Sequence, residues 1–272
     1  MMSIATNSHL PKSQQWYRPT VSLQHGVYVM LIVSFLTGAA AAGQWTWATT
    51  LAFICAFFGF QAEHPLVLQV KQRKSWKPRF LLWGSIYGGV AGAIALWFAY
   101  SSHAVLSLLP IYGGVIAALI FDLVEVWHRQ QKSFLNELVT FAAICLSALL
   151  AYAITMGTLS TGAIAIWILD ALFFSSAIFT VKLRKIKNAS IVPGLFFHGI
   201  ATVIVMLLWL VGWLAPMSAL AFGVALLKFA LILWQKDWYC TTKIQQVALL
   251  ETNSSLVFLA MVALALLWFR GT

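Results

Sequence analysis

Nine long apolar runs, separated by short polar or glycine-containing breaks, occupy most of this 272-residue sequence. A helix needs about 20 mainly apolar residues to cross the roughly 30 Å hydrocarbon core of a bilayer. In that core the backbone must satisfy its own hydrogen bonds, so each run predicts a transmembrane α-helix. The first and eighth runs are short, which leaves a different tilt or a partly re-entrant path open for both. The runs are Gly26–Gly43, Trp45–Ala62, Phe80–Ser101, Ala104–Val126, Leu135–Met156, Ser160–Val181, Pro193–Leu214, Met217–Leu233 and Val247–Phe269.

The composition agrees with a membrane protein and leaves no room for a separate soluble domain. Hydrophobic residues make up 61% of the chain and charged residues only 9%, whereas soluble domains carry about 25% charged residues. We therefore predict an all-α, polytopic bundle in which residues 25–272 form one transmembrane domain after a cytoplasmic tail at residues 1–24.

The Lys and Arg residues predict the orientation of this bundle. If the N-terminus lies in the cytoplasm, fifteen of the 17 basic residues fall in the tail and the inner loops; Lys228 lies within the eighth run and Arg270 lies outside. This asymmetry follows the positive-inside rule and predicts an N-in, C-out topology. Because orientation accounts for the net charge of +10, the expected partners are membrane lipids with anionic headgroups at the cytoplasmic face, not nucleic acid.

Ionisable residues inside or at the ends of the apolar runs are the candidate functional residues, because a charge is costly in the bilayer. Six of the seven acids lie toward the predicted cytoplasmic face, whereas Asp170 lies near the middle of the sixth run. This asymmetry favours a pocket that opens to the cytoplasm. The candidates are Asp122, Glu125 and Asp170 for catalysis, Asp122 and Glu125 for a metal ion, and His25, Glu63, His64, Asn136, Glu137, His198 and Glu251 for ligand binding.

Several of these acids also have a purely structural interpretation. Asp122 and Glu125 are three residues apart and share a helix face, where they can hold a divalent cation or pair with the basic residues that follow. Glu63 precedes Pro65 and is consistent with the end of the second span. Both interpretations stay open at this point.

The remaining acids divide in the same way. Glu137 and Glu251 lie near predicted helix N-termini, where a carboxylate complements the helix dipole and caps the helix. Asp170 has no basic residue at its depth in its own run, so it needs a partner from another helix or a bound proton. Asp170 is therefore the acid with the weakest structural explanation.

Short motifs along the chain resemble the YwiC-like family of bacterial membrane proteins. Residues 24–31, Gln-His-Gly-Val-Tyr-Val-Met-Leu, followed by Gly38, resemble the family's opening Glu-His-Gly-Ala-Trp-Ala-Met-Leu stretch, with glutamine in place of the first glutamate. Residues 133–138 resemble its Asn-Glu-Leu element, and residues 172–176 and Glu251 provide further matches. The resemblance implies a multi-pass protein of a bacterial inner membrane and supplies no reaction.

The predicted architecture is also similar to that of the UbiA-type intramembrane prenyltransferases. Those enzymes have nine spans and place Asp-rich motifs after the second and sixth spans, where carboxylates hold Mg²⁺ against a prenyl diphosphate. This sequence lacks the paired-Asp motifs and has a basic run at residues 182–187 after the sixth span. The similarity implies an isoprenoid or prenyl-diphosphate-type lipid that is bound or transferred, with Mg²⁺ as the cofactor.

Two other functions are compatible with the sequence, a small-solute transporter and a non-enzymatic membrane accessory protein. An enzyme predicts that Glu63, Asp122, Glu125 and Asp170 converge on one cavity. A transporter predicts a polar path or broken helices that reach the outer face. An accessory protein predicts acids that pair with the basic loops.

Overall fold

The computed structural model describes residues 17–22, 25–73, 75–101, 104–185 and 189–268, and this part of the chain is helical without a strand. The tail at residues 1–24 is described only over residues 17–22, so Gln24, the tail's other residues and Arg270 lie outside the described residues. The helices are α1 (His25–Ala42), α2 (Trp47–Gln72), α3 (Pro78–Ser101), α4 (Val105–Trp127), α5 (Phe134–Met156), α6 (Thr161–Lys185), α7 (Val192–Leu210), α8 (Pro216–Leu220), α9 (Gly223–Trp234), α10 (Lys236–Thr241) and α11 (Ile244–Trp268).

The described residues contain nine helical segments that are long and apolar enough to cross a membrane. The predicted all-α, multi-pass bundle is thereby confirmed. The eighth segment is divided into α8 and α9, with a junction at Ala221 and Phe222. Through this junction the amides of Val224 and Ala225 donate to carbonyls three residues earlier, over 3.1 and 2.9 Å. The helix therefore tightens locally and keeps its backbone hydrogen-bonded, as a membrane core requires.

The centre of the bundle is formed by α1, α5 and α6. Gly38 on α1 lies so close to α5 that a Cβ at this position would stand 2.6 Å from the carbonyl carbon and the Cα of Ala148. Such close approach of two backbones is typical of small residues at membrane helix interfaces. Phe35 of α1 and Leu169 and Phe173 of α6 belong to the apolar core of the bundle, each at most 1% exposed.

The second helix continues beyond the end predicted for it. The expected span ended at Ala62, before Glu63 and Pro65, but α2 runs through Pro65 to Gln72. The prediction that Glu63, His64 and Pro65 end the helix is therefore wrong. Proline lacks an amide hydrogen, yet neighbouring helices allow it inside membrane helices. As a result Glu63 and His64 lie within the helix and are half-buried.

One end of the bundle carries the basic connections, and we call this end the basic face. It includes residues 73 and 75–77 between α2 and α3, residues 128–133 between α4 and α5, and residues 235–243 around α10. Arg79, in the first turn of α3, donates to the carbonyls of Arg18 and Pro19 over 2.8 and 3.1 Å. These bonds attach the segment before α1 to the same face. Its location in the cytoplasm remains a prediction.

Candidate functional site

A cleft of about 420 Å³ opens on the basic face between the end of α2 and the α4–α5 connection. We call it the basic cleft. Four of its six lining residues are cationic, and all four are exposed. The two salt bridges of the described residues involve none of the four. The basic cleft is lined by Lys71, Arg73, Val126, Arg129, Gln131 and Lys132.

Two of these cations occupy unusual backbone conformations. Arg73 has φ of 47° and Arg129 has φ of 64°, and they are the non-glycine residues with positive φ in the described part of the chain. Arg73 follows the last residue of α2, and its guanidinium lies 5.0 Å from the ring centroid of Trp127 at the end of α4. The cation–π contact links the two sides of the basic cleft. A residue other than glycine is strained when its φ is positive, and such backbone strain often occurs at functional sites.

Behind the basic cleft lies a carboxylate–amide cluster, consisting of Asp122, Glu125, Ser133 and Asn136. The Asn136 Nδ2 group donates to Asp122 Oδ1 over 2.6 Å and to the carbonyl of Gln131 over 3.0 Å. Gln131 itself lines the basic cleft, so the amide of Asn136 joins the buried carboxylate to the wall of the cleft. Asp122 is 4% exposed and Asn136 is 2% exposed.

Ser133 organises the second half of this cluster. Its hydroxyl accepts a hydrogen bond from the backbone N–H of Asn136 over 3.1 Å and so caps the N-terminus of α5. The same hydroxyl donates to Glu125 Oε2 over 3.0 Å. A serine cap of this kind fixes the start of a helix, and here it also fixes the Glu125 side chain. Glu137 was expected to cap α5; the structure assigns that cap to Ser133, three positions before Asn136 in the first turn.

Two oxygen atoms of the cluster have no hydrogen-bond partner among the described residues, Asp122 Oδ2 and Asn136 Oδ1. Buried polar atoms are normally satisfied, so each unsatisfied atom requires an explanation. Glu63 and Lys71 both lie within electrostatic range of Asp122. The arrangement therefore places buried oxygen acceptors directly beside a cluster of cations.

The predicted site residues divide among several locations. Glu63 and Glu125 lie within electrostatic range of Asp122, to which Asn136 donates, and His64 lies within electrostatic range of Lys71 of the basic cleft. His25 is exposed at the first residue of α1.

Glu137 forms an ion pair with Lys182 over 2.8 Å. This contact links α5 to the end of α6 at the basic face. The hypothesis of a non-enzymatic accessory protein predicts this kind of pairing between an acid and a basic residue.

Asp170 lies apart from this cluster in the centre of the bundle. It is completely buried on α6, and the Thr37 hydroxyl of α1 donates to Asp170 Oδ2 over 2.6 Å. The expected partner from another helix is therefore Thr37. The hydrogen-bond partners of Asp170 and of Asp122 belong to different helices.

Glu251 and His198 belong to a third location, on the helices after α6. Glu251 was expected in the first turn of its helix, but α11 begins at Ile244 and Glu251 is its eighth residue. That prediction is wrong because the helix starts three residues before the apolar run. Glu251 pairs with Lys228 of α9 over 2.7 Å.

Sequence reasoning did not identify the cations of the basic cleft as site residues. Lys71, Arg73, Arg129 and Lys132 had been explained by membrane orientation alone. The two halves of the cleft are more than fifty residues apart in sequence, and only the packing of α2 against α4 and α5 brings them together. Ser133 and Gln131 were also missed, although their partners in the cluster lie only three to eight residues away.

The donor set for a metal ion is limited. The described residues contain no group of three or more His, Cys, Asp and Glu side chains that could hold one ion. Mg²⁺ commonly binds one or two carboxylates together with the phosphates of its substrate. The unpartnered Asp122 Oδ2 could serve as such a carboxylate ligand to an ion that also binds phosphates.

Comparison with known proteins identifies the relatives of this chain. Residues 21–152 match the family model described as YwiC-like protein. The resemblance to the YwiC-like family is confirmed. The chain is also 25% identical to the "Uncharacterized protein YwiC" of Bacillus subtilis (strain 168) over 247 residues, which cover 89% of this chain and 95% of the relative. The segment that matches the YwiC-like family contains the whole basic cleft and the carboxylate–amide cluster.

Proposed function

We propose that the chain binds the phosphate-bearing headgroup of an isoprenoid-type lipid in the basic cleft. The observation that carries this proposal is the set of four cations around one cleft at the end of a membrane bundle. None of the four forms a salt bridge with a described carboxylate, so their charge is available to a ligand. Arginine and lysine are the side chains that bind phosphate oxygens most strongly.

The dimensions and position of the basic cleft support a lipid headgroup. Its volume of about 420 Å³ lies within the range of ligand sites, about 300 to 1,000 Å³. The neighbouring α4 exposes apolar side chains along its length, including Ile116, Ile120 and Val124. A lipid tail can follow this surface while its phosphate lies at the helix end. The isoprenoid class rests on the similarity in span number and topology to the UbiA-type enzymes.

Mg²⁺ fits this proposal as an ion that arrives with a diphosphate. Asp122 Oδ2 and Asn136 Oδ1 are the two buried oxygens that would hold it. Bound there, the ion would supply positive charge between the carboxylate and the phosphates. The chain's own part is fixed by hydrogen bonds, since Asn136 orients Asp122 and also contacts the wall of the cleft. Asp170 is not part of the proposed site.

Native mass spectrometry of the full chain tests this proposal with farnesyl diphosphate, with and without Mg²⁺. We expect farnesyl diphosphate to bind and farnesol, which lacks the phosphates, to bind at least tenfold more weakly. The double variant Lys71→Gln, Lys132→Gln should also lose about tenfold or more in affinity, because each charged hydrogen bond contributes about 1.5 kcal/mol or more.

A matched control carries the same change of charge elsewhere on the basic face. The variant Lys236→Gln, Lys243→Gln removes two cations from the α10 region, outside the basic cleft, and should bind as the unchanged chain does. Asp122→Asn should remove the dependence on Mg²⁺. Equal affinity for farnesol and farnesyl diphosphate, or equal losses in the two double variants, would refute the proposed site.

A further inference from the structure

A second polar site lies among the helices that follow α6, away from the basic cleft. Lys228 of α9 and Glu251 of α11 form an ion pair with 2.7 Å between Nζ and Oε2. The Lys228 side chain is 3% exposed and that of Glu251 is 23% exposed. Removing two charges from water is costly, and ionisable residues inside membrane helices default to functional candidates. The exposed part of Glu251 makes this pair reachable from the surface.

Three polar atoms around this pair have no hydrogen-bond partner among the described residues: Glu251 Oε1, the Tyr239 hydroxyl and His198 Nε2. They come from α11, α10 and α7. Lys228 lies within electrostatic range of His198, and Glu251 lies within electrostatic range of Tyr239. We call His198, Lys228, Tyr239 and Glu251 the ion-pair site.

The hydrogen-bonding capacity of the ion-pair site follows from its contacts. His198 Nδ1 lies 2.7 Å from the Gly194 carbonyl, which can only accept, so Nδ1 is the donor. The neutral ring therefore presents Nε2 as an acceptor. Glu251 Oε1 is a second unpartnered acceptor of the ion-pair site.

Tyr239 supplies the complementary hydroxyl. The residue is fully buried, and burial, followed by the nearby Glu251, raises the pKa of its phenol to about 12. Tyr239 therefore keeps its proton at neutral pH and can donate or accept. Arg184 holds this segment in place, because its guanidinium donates to the carbonyls of Tyr239 and Thr242.

Aromatic rings surround the polar atoms. The His198 ring is stacked on Phe229 with centroids 3.9 Å apart, and Phe173 is stacked on Phe258 at 4.0 Å. Lys228 Nζ lies 5.3 Å from the Phe173 ring centroid. Because Lys228 and Glu251 neutralise each other, the site favours an uncharged ligand. A flat ring that carries hydroxyl groups matches both the aromatic surroundings and the unsatisfied acceptors.

We infer that the ion-pair site binds the hydroxylated aromatic head of a membrane-soluble quinol. One ligand hydroxyl donates to Glu251 Oε1 or His198 Nε2 and accepts from Tyr239. This inference does not depend on the function proposed for the basic cleft, because the two sites share no residue. All four residues of the ion-pair site also lie outside residues 21–152, the segment that matches the YwiC-like family.

Isothermal titration of the full chain in detergent micelles with decylubiquinol tests the inference. The matched ligand is the dimethyl ether of decylubiquinol, which retains the ring and the tail but has no hydroxyl hydrogen to donate. We expect the quinol to bind at least tenfold more tightly than the ether, because two buried acceptors would remain unsatisfied with the ether.

The variant Tyr239→Phe removes one hydroxyl that has no partner in the structure, so the fold should tolerate it. We expect it to bind decylubiquinol about fivefold more weakly, which corresponds to one hydrogen bond. The control Tyr112→Phe removes a hydroxyl on α4, where it donates to the Ala95 carbonyl over 3.5 Å, and should bind as the unchanged chain does.

A second variant replaces the imidazole ring of His198 with a phenyl ring, which has no hydrogen-bond acceptor. His198→Phe keeps an aromatic ring against Phe229 but removes Nε2 together with the Nδ1 hydrogen bond to the Gly194 carbonyl, and we expect a similar fivefold loss in affinity. Absence of decylubiquinol binding, equal binding of the quinol and the ether, or unchanged affinity in both Tyr239→Phe and His198→Phe would overturn the inference. Equal binding of the two ligands would indicate that water satisfies the three atoms.

Discussion

The contact between α1 and α5 at Gly38 gives a quantitative prediction for Gly38→Ala. The added Cβ would stand 2.6 Å from two backbone carbons of Ala148, whereas non-bonded carbons prefer a separation of about 3.5 to 4.0 Å. The two helices must therefore move apart by about 1 Å. Backbone atoms form the obstacle, so a rotamer change cannot relieve the contact.

That displacement also affects the neighbouring polar contacts of α1. The hydrogen bond from Thr37 to Asp170 is 2.6 Å long and the bond from Ser34 to Cys145 Sγ is 3.3 Å long. A shift of about 1 Å takes the first beyond normal hydrogen-bond length and leaves Asp170 with a weaker partner. We expect Gly38→Ala to lose at least about 3 kcal/mol of folding stability, since overpacking costs about 1 to 3 kcal/mol and a weakened buried hydrogen bond adds to it.

Thermal unfolding in detergent, followed by intrinsic fluorescence, measures this effect. The control is Gly89→Ala in α3, where a Cβ would meet nothing within 4 Å and alanine improves helix propensity by up to about 1 kcal/mol. Gly89→Ala should therefore leave the melting temperature unchanged or raise it. If Gly38→Ala melts at the same temperature as Gly89→Ala, the close packing of α1 on α5 is not as described.

Two further predictions concern single polar contacts. Asn136→Asp places two carboxyl groups across the 2.6 Å contact with Asp122 and should lower the free energy of unfolding by at least about 2 kcal/mol. Adding Asp122→Asn to this variant exchanges the two side chains and should restore most of the melting temperature. A double variant that melts no higher than Asn136→Asp would argue against this contact. Burial raises the pKa of Tyr239 from 10.0 to about 12, so the unfolded chain should lose this proton first and stability should fall as pH rises through that interval. Ultraviolet titration of the phenolate, with Tyr239→Phe as the reference, checks the value; ionisation near pH 10 would contradict the burial of this phenol.

The bundle itself was predictable because its spans are local features of the sequence. Twenty apolar residues in a row determine a membrane helix without reference to the rest of the chain. Pro65 misled the prediction of the second helix because proline ends helices in water but is accommodated inside a membrane bundle. The break within the eighth span was foreseen only as a short, irregular run.

The candidate sites were less predictable because they depend on contacts between distant residues. Asp122 and Asn136 were both singled out, but the bond between them required the α4–α5 connection to fold around Ser133. Thr37 and Asp170 are 133 residues apart, and nothing in the sequence joins them. In the sequence, the cations of the basic cleft look the same as residues that only orient a membrane protein, and only the structure shows that they line one cleft.

The positive φ angles at Arg73 and Arg129 affect the folding stability of the chain. Both residues stand where a helix has just ended, a position at which glycine is the usual choice because it adopts positive φ without strain. An arginine there costs the folded chain about 1 kcal/mol that glycine would not. In the phosphate-binding role proposed for the basic cleft, stability and ligand affinity would oppose each other at these two positions, so selection for a more heat-resistant chain would weaken the cleft first.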